Sequence, residues 1–302
     1  MKTLVVLTGP TGVGKTELSL SLAEWLESPI LNADSRQIYR ELPIGTAAPT
    51  AAEQARVKHY FVGTHSLTDA YSAGEYERDA LRLLDELFRT HDRVLMVGGA
   101  MLYIDAVCNG LDAIPAVPDK LRNALRASYE QEGLNWLQEQ VRTADPAYWQ
   151  DCDQQNPQRL LHALEVTRAA GQPYSTFRTG ARKQRPFEVV KIALTRPRED
   201  LYARINARVT QMLEDGLEEE ARRVLPLRHL NALNTVGYKE MFRYFDGECS
   251  LTEAADQIRQ NSRHYAKRQL TWFRADETIR WLDLTDLKAP NDLKALKDLI
   301  EK

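Results

Sequence analysis

The sequence predicts an α/β protein, with a P-loop core whose parallel sheet is flanked by helices and an all-helical domain inserted into that core. Two observations support this fold class. Up to about residue 111, short apolar runs that end in glycine or polar residues alternate with segments of helical periodicity. From 118 to 170 the helical patterns continue without a strand, and an apolar run then returns at Phe187–Leu194.

The N-terminal part is predicted to contain three strands and two helices. Leu4–Leu7 is a continuous apolar run followed by Thr8 and a glycine, which is typical of a buried parallel strand. Residues 18–26 carry leucines and a tryptophan at helical spacing. A second strand, Pro29–Ala33, an amphipathic helix, Glu75–Thr90, and a third strand, Val94–Val97, follow.

The helical stretch suggests where the domains divide. We expect residues 112–184 to form a helical insertion domain, and residues 1–111 and 185–302 to form one α/β catalytic core with a helical C-terminal part. The strand at Phe187–Leu194 returns the chain to the core sheet.

Composition limits the classes of function. With 43% apolar and 27% charged residues, the chain is typical of a folded globular protein. Its net charge of −3 gives no general attraction to nucleic acid, so any such affinity must come from local clusters. Three cysteines without CxxC spacing argue against disulfides and structural zinc. Without a signal peptide or a span-length apolar run, we expect a cytoplasmic protein with no membrane contact.

Basic residues gather in two acid-poor segments. Residues 154–198 contain nine lysines and arginines against two glutamates, and residues 257–274 contain five against no acid. Arg259, Arg263 and Lys267 are four apart, so a helix would place them on one face. A single basic run is usually a solvated face, whereas two in an acidic protein favour a polyanionic partner.

Residues 9–16 read GPTGVGKT and match the GxxxxGK[ST] pattern between a buried strand and a helix. Backbone N–H groups and the helix N-terminus bind phosphate oxygens, the lysine adds a positive charge, and the Thr16 hydroxyl is placed to ligate Mg²⁺. The loop identifies a di- or triphosphate and would also accept a nucleotide such as ATP. The predicted diphosphate-binding residues are Gly9, Pro10, Thr11, Gly12, Val13, Gly14, Lys15 and Thr16.

Asp34 is the acid that follows a predicted strand close to this loop. The second strand runs into Asp34-Ser35-Arg36-Gln37, whereas the third strand ends in glycines with no acid. The residues alone leave three roles open for Asp34: a metal ligand, a turn or helix cap, and a general base.

Seven stretches, in this order, resemble the bacterial type of tRNA dimethylallyltransferases (tRNA isopentenyltransferases): GPTGVGKT, NADSRQIYRELPIGTAAP, YSAGEYERDA, VGGAMLYIDAVCNGL, NPQRLLHALEV, TVGYKEMF and YAKRQLTWFR. The resemblance spans about residues 5 to 282. It implies transfer of a dimethylallyl group from dimethylallyl diphosphate to the exocyclic amine of the tRNA adenosine 3′-adjacent to the anticodon, with Mg²⁺ as cofactor and pyrophosphate as product. It assigns the P-loop to the isoprenoid diphosphate rather than to ATP.

The resemblance also implies roles for individual residues. In addition, we expect the protein to be a monomer. Asp34 matches the family's general base, and Lys15 and Thr16 act with it at the diphosphate. The anticodon stem-loop would be contacted by Asp34, Ser35, Arg36, Gln37, Ala100, Arg122, Gln158, Arg159, Leu160, Leu161, His162, Asn234, Thr235, Val236, Gly237, Tyr238, Lys239, Arg263, Lys267 and Arg268.

Two positions depart from the family pattern. Ala100 stands where the family usually has threonine after the paired glycines, and Ala48 stands where it tends to have lysine. Three alternatives remain: an adenylate isopentenyltransferase acting on free AMP, ADP or ATP, a P-loop small-molecule kinase, and an RNA-binding protein without chemistry. The basic segments favour tRNA, because a mononucleotide acceptor does not need an extended basic surface.

Overall fold

The protein, seen in a computed structural model that describes residues 1–287 and 293–301, forms two compact units. One comprises Met1–Asn109 and Gln184–Lys302, and the other comprises Gly110–Lys183. Among the described residues, no helix has the length and apolar character needed to cross a membrane.

A six-stranded sheet in the order β3-β2-β4-β1-β5-β6 forms the centre of the first unit, and every neighbouring pair is parallel. This confirms the predicted α/β class. The prediction missed β3, which has two residues, and β6, whose sequence RWLD lacks an apolar run. The strands are β1 Thr3–Thr8, β2 Ile30–Ala33, β3 His59–Tyr60, β4 Arg93–Gly98, β5 Glu188–Thr195 and β6 Arg280–Asp283.

Helices cover both faces of the sheet because its strands are apolar on both sides. Val5 and Leu7 pack into one cluster, while Leu4 and Val6 pack into the other, as alternation along a strand requires. The helices of this unit are α1 Lys15–Leu26, α2 Ala51–Arg56, α3 Ala73–Leu87, α4 Met101–Asn109, and, after the second unit, α8 Arg198–Glu214, α9 Leu217–Val224, α10 Tyr238–Phe245, α11 Leu251–Arg274 and α12 Lys294–Glu301.

The second unit is helical, with α5 Asp119–Ala144, α6 Pro146–Asp151 and α7 Pro157–Ala170. A non-helical Gly133, at φ +78°, interrupts α5. Leu137 and Val141 of α5 pack against Leu160 and Leu164 of α7, which gives this unit its own small core.

Three strand ends converge at the carboxyl edge of the sheet in the first unit. The Thr8 hydroxyl, at the end of β1, donates a hydrogen bond to the Gly98 carbonyl at the end of β4 (2.9 Å). A Cβ at Gly98 would lie 2.1 Å from the Ala33 carbonyl oxygen, so only glycine permits this approach of β2 and β4. The segments that follow β1, β2 and β4 therefore meet at one place.

Candidate active site

The P-loop joins β1 to the first turn of α1. Gly9 and Gly14 have φ angles of +142° and +109°, a region that residues with a side chain rarely adopt. At Gly9 a Cβ would also lie 2.8 Å from the Leu194 carbonyl oxygen. The N-terminus of α1, at Lys15, thus faces the loop and offers free backbone N–H groups to an anion.

Lys15 supplies the positive charge of the loop. Its Nζ donates hydrogen bonds to the carbonyls of Gly9 (2.8 Å) and Pro10 (3.0 Å). The pKa of Lys15 is lowered to about 8, chiefly by burial and also by the positive charge of Arg208, while the negative charge of Asp34 opposes both. Lys15 is thus a cation at neutral pH that loses its charge in mildly alkaline solution.

Three arginines that the motif does not contain also contact the loop. Nε of Arg196 donates to the Val13 carbonyl (2.7 Å), and Nε of Arg204 donates to the Gly12 carbonyl (2.9 Å). Nη2 of Arg208 donates to the Thr11 hydroxyl (2.5 Å). These contacts extend the positive charge of the site beyond Lys15.

Of the three arginines, Arg208 gives the clearest indication that an anionic ligand binds at the loop. Its Nε is buried and has no hydrogen-bond partner in the described part of the chain. Burial also lowers the pKa of its guanidinium, and Asp34 opposes this shift. Because a buried donor of this kind is costly unless it is paired, an anionic ligand beside the loop would complete it.

Sequence reasoning missed Arg204 and Arg208, although they are four apart on α8 and so share a face. A search for acid-poor segments passes over them, because Glu199 and Asp200 stand in the first turn of the same helix. The signal in the sequence was the i, i+4 spacing of these two arginines in the helix that follows β5, the strand next to β1.

Asp34 directly follows β2 and forms a turn. Its Oδ1 accepts hydrogen bonds from the backbone N–H groups of Arg36 (2.8 Å) and Gln37 (3.2 Å). Within the described residues no donor contacts Oδ2. One carboxylate oxygen is therefore occupied by the turn, while the other is available to a ligand.

Two adjoining cavities meet at Asp34. The phosphate cavity is lined by the P-loop, including Lys15 and Thr16. The outer cavity is lined by Ser35, Arg36, Asn234, Thr235, Val236, Gly237, Lys239 and Arg268. The residues that line both are Thr11, Asp34, Thr46, Arg208 and Tyr265. The site thus has a phosphate-binding side and a second side, with a carboxylate between them.

The remaining predicted residues of this unit lie in varied positions. Lys267 is exposed on α11, and Nη1 of Arg263 donates to the Asn206 side chain (2.7 Å). Tyr238 is fully buried, and its hydroxyl donates to Glu220 (2.6 Å), so its side chain is not accessible to RNA. Ala100 is buried, donates its N–H to the Ala33 carbonyl (3.0 Å) and lines neither cavity.

In the second unit, three of the predicted residues are exposed along α7, namely Gln158, Arg159 and His162. Leu160 and Leu161, between them, are buried in the unit's core, so their side chains stabilise the helix rather than face an RNA. On α5, Arg122 forms ion pairs with Asp119 (3.1 Å) and Glu165 (3.5 Å).

Metal ligands are few. Among the described residues, no group of three or more histidine, cysteine, aspartate or glutamate side chains is arranged to hold a metal ion. Thr16 is exposed at the phosphate cavity, and within the described chain its hydroxyl has no hydrogen-bond partner. The protein oxygens at this cavity that could hold a divalent ion include the Thr16 hydroxyl and the Asp34 carboxylate, and oxygens of a ligand would complete its shell.

Comparison with known proteins identifies the family. The model of the IPP transferase family matches residues 37–276. The chain belongs to this family. It is 59% identical over 279 residues to tRNA dimethylallyltransferase 2 of Porphyromonas gingivalis, which covers 92% of this chain and 93% of the relative. It is 54% identical over 289 residues to tRNA dimethylallyltransferase 2 of Parabacteroides distasonis, with 96% and 97% covered.

A solved IPP transferase structure shares the fold. The full-length tRNA isopentenylpyrophosphate transferase from Bacillus halodurans is 34% identical to this chain and superimposes with a TM-score of 0.73, covering 100% of this chain and 96% of the other. The family resemblance seen in the sequence is thereby confirmed.

Replacing Arg208 by methionine should weaken the binding of inorganic pyrophosphate, measured by calorimetry at neutral pH. A hydrogen bond from a charged donor contributes about 1.5–3 kcal/mol, which corresponds to roughly a tenfold to hundredfold rise in Kd. The control is Arg198→Met, which removes the same charge from an exposed position on α8 and should change Kd by less than about twofold. Equal weakening by both substitutions would contradict a direct role for Arg208.

Proposed function

We propose that the protein transfers a dimethylallyl group from dimethylallyl diphosphate to the exocyclic amine of the adenosine 3′-adjacent to the anticodon in tRNA, releasing pyrophosphate. The observation that supports this most directly is the position of Asp34, which borders the phosphate cavity and the outer cavity. Relatives at 54% and 59% identity are named tRNA dimethylallyltransferases, and their names specify the group and the acceptor.

The bond changes follow from this arrangement. The adenine amine attacks the allylic carbon, and the bond from that carbon to the diphosphate oxygen breaks with both electrons on the oxygen. An aromatic amine is a weak nucleophile, so Oδ2 of Asp34 takes its proton as the carbon–nitrogen bond forms. Lys15, Arg208 and the N–H groups at the start of α1 stabilise the negative charge that develops on pyrophosphate.

The donor set suits Mg²⁺ as the cofactor. Mg²⁺ in phosphate sites is usually held by one or two protein oxygens, with phosphate oxygens and waters completing its shell. The unpartnered Thr16 hydroxyl at the phosphate cavity meets this need without a carboxylate cluster. When bound, the ion would supply positive charge to the diphosphate.

The acceptor side has features expected of an RNA contact. Lys239 and Arg268 are exposed side chains that line the outer cavity, and Lys267 is exposed on α11. Such cations pair with backbone phosphates and position a nucleic acid. In the second unit, we assign the exposed Gln158, Arg159 and His162 to the same substrate. We also propose that the enzyme acts as a monomer in the cytoplasm, where tRNA would be available to it.

The proposed activity predicts where a labelled isoprenoid goes. Purified protein given labelled dimethylallyl diphosphate, Mg²⁺, undermodified tRNA and AMP together should label the tRNA and leave AMP unlabelled. The control is a tRNA with guanosine in place of the target adenosine, which should remain unlabelled. Label on AMP instead would support the free-nucleotide alternative. In a parallel reaction that also contains ATP, consumption of ATP without labelled tRNA would support a kinase.

Two substitutions separate the two roles of Asp34. Asparagine keeps the oxygen that accepts the N–H groups of Arg36 and Gln37 but cannot take a proton, whereas alanine removes both functions. Since a general base contributes roughly 10²–10⁴-fold, both variants should lower kcat by that range, with tRNA binding within a few-fold of the original. If Asp34→Asn kept a near-normal kcat while Asp34→Ala lost it, Asp34 would serve only to form the turn and would not be the general base.

Activity should fall in alkaline solution because of Lys15. The lysine is charged below its pKa of about 8 and neutral above it, so the charge that binds the diphosphate is lost as pH rises. The value of kcat/KM for dimethylallyl diphosphate reports groups of the free enzyme and should decline by up to about tenfold per pH unit above this pKa. A profile that stays flat to well above pH 9 would contradict the assignment.

A further inference from the structure

A loop of residues 43–48, which we call the partition loop, lies where the two cavities meet. Thr46 lines both cavities, Gly45 lines the outer cavity, and Ala47 lines the phosphate cavity. The position of this loop therefore affects the width of both sides of the site at once.

The partition loop contains a strained residue. Ala47 has a φ angle of +49°, in the left-handed region that residues other than glycine rarely adopt. Nε2 of Gln37 donates hydrogen bonds to the carbonyls of Thr46 (3.1 Å) and Ala47 (3.0 Å). Strained backbone of this kind persists only where surrounding contacts determine it, and it concentrates at functional sites.

The strongest of those contacts come from Glu220 on α9. This carboxylate is fully buried, and in the described chain it pairs with no cation. Its Oε2 accepts the Ile44 N–H (2.8 Å), while its Oε1 accepts the Gly45 N–H (2.7 Å) and the Tyr238 hydroxyl (2.6 Å). A buried carboxylate requires such donors, so these three groups are held firmly in place.

Tyr238 connects the same carboxylate to the opposite wall. It begins α10 directly after the segment 234–237, which lines the outer cavity. A Cβ at Gly45 would lie 2.5 Å from the Tyr238 hydroxyl oxygen, which shows how closely the ring packs on the loop. Glu220 thus joins the partition loop to the wall on the far side of the outer cavity.

We propose that Glu220 and Tyr238 are positioning residues that fix the partition loop, and through it the spacing between the diphosphate and the acceptor adenine. Neither side chain lines the phosphate cavity or the outer cavity, so both act through the loop and the 234–237 segment. This inference rests on the proposed transfer reaction for its kinetic consequence, while the loop contacts are independent of that reaction.

Glu220→Gln is the direct test. Glutamine has one oxygen, so its amide group must face at least one of the three donors and releases it. We expect faster hydrogen exchange at the Ile44 and Gly45 amides, by tenfold or more, since a lost acceptor opens these N–H groups. We also expect kcat for transfer to fall on the order of a hundredfold, because small misplacements of reacting groups have effects of that size.

Tyr238→Phe provides a second, milder variant that removes only the hydroxyl. It should speed hydrogen exchange at the Ile44 and Gly45 amides and lower kcat, each by a smaller factor than Glu220→Gln does. The double variant should show a smaller change than the product of the two single changes, since both side chains act on one loop. This variant keeps the test decisive if Glu220→Gln does not fold.

Glu77→Gln is the control, because it also neutralises a buried carboxylate of the same unit and lies outside both cavity linings, although Glu77 pairs with Arg185 (2.8 Å) instead of contacting the partition loop. It should leave exchange at 44–45 and kcat unchanged. The proposal is overturned if exchange and kcat are unaltered in both loop variants, or if the control matches them. Absence of tRNA labelling by the unsubstituted protein would instead refute the proposed function, and the exchange result would still decide the role of Glu220.

Discussion

The site depends on one close approach in the sheet, that of Gly98 at the end of β4 to Ala33 at the end of β2. A side chain at Gly98 would collide with the Ala33 backbone, and the Thr8 hydroxyl of β1 bonds to the same Gly98 carbonyl. Because β4 lies between β1 and β2 and ends in glycines, the P-loop after β1 and Asp34 after β2 come close together across its end. Neither segment alone defines a reaction, whereas their proximity places a carboxylate next to a phosphate site.

Charge explains why the arrangement is poised for a ligand. Lys15 and Arg208 are half-buried at the same cavity, and the positive charge of Arg208 adds to the cost of keeping Lys15 charged there. The negative charge of Asp34 offsets part of this cost, and the larger negative charge of a bound diphosphate would offset more of it. The same cations that destabilise the ligand-free site stabilise a bound diphosphate and the pyrophosphate that departs from it.

Much of the fold followed from local patterns, and the exceptions have physical reasons. Buried central strands such as Leu4–Leu7 have continuous apolar runs, whereas the edge strands β3 and β6 are short and mixed. The P-loop and Asp34 were found because their spacing along the chain carries the chemistry. Arg208 and Glu220 were not found, because their partners are 197 and 175 residues away in sequence.

Tyr238 shows a different limit of sequence reasoning. The NTVGYK segment resembles a tRNA-contacting stretch, and five of its six residues do line the outer cavity. Tyr238, the fifth of the six, is instead fully buried and donates its hydroxyl to Glu220. A motif marks a segment of the wall, and only burial separates the residues that face a substrate from those that hold the wall in place.

The central claim is that Asp34 takes the proton of the acceptor amine between the two cavities. A crystal structure with a tRNA anticodon stem-loop and a thiodiphosphate analogue of the donor would test it most directly. The account predicts Oδ2 of Asp34 about 3 Å from the adenine amine, and that amine about 3–3.5 Å from the allylic carbon. An Asp34 that coordinates the metal ion, with the amine beyond hydrogen-bond reach, would contradict it.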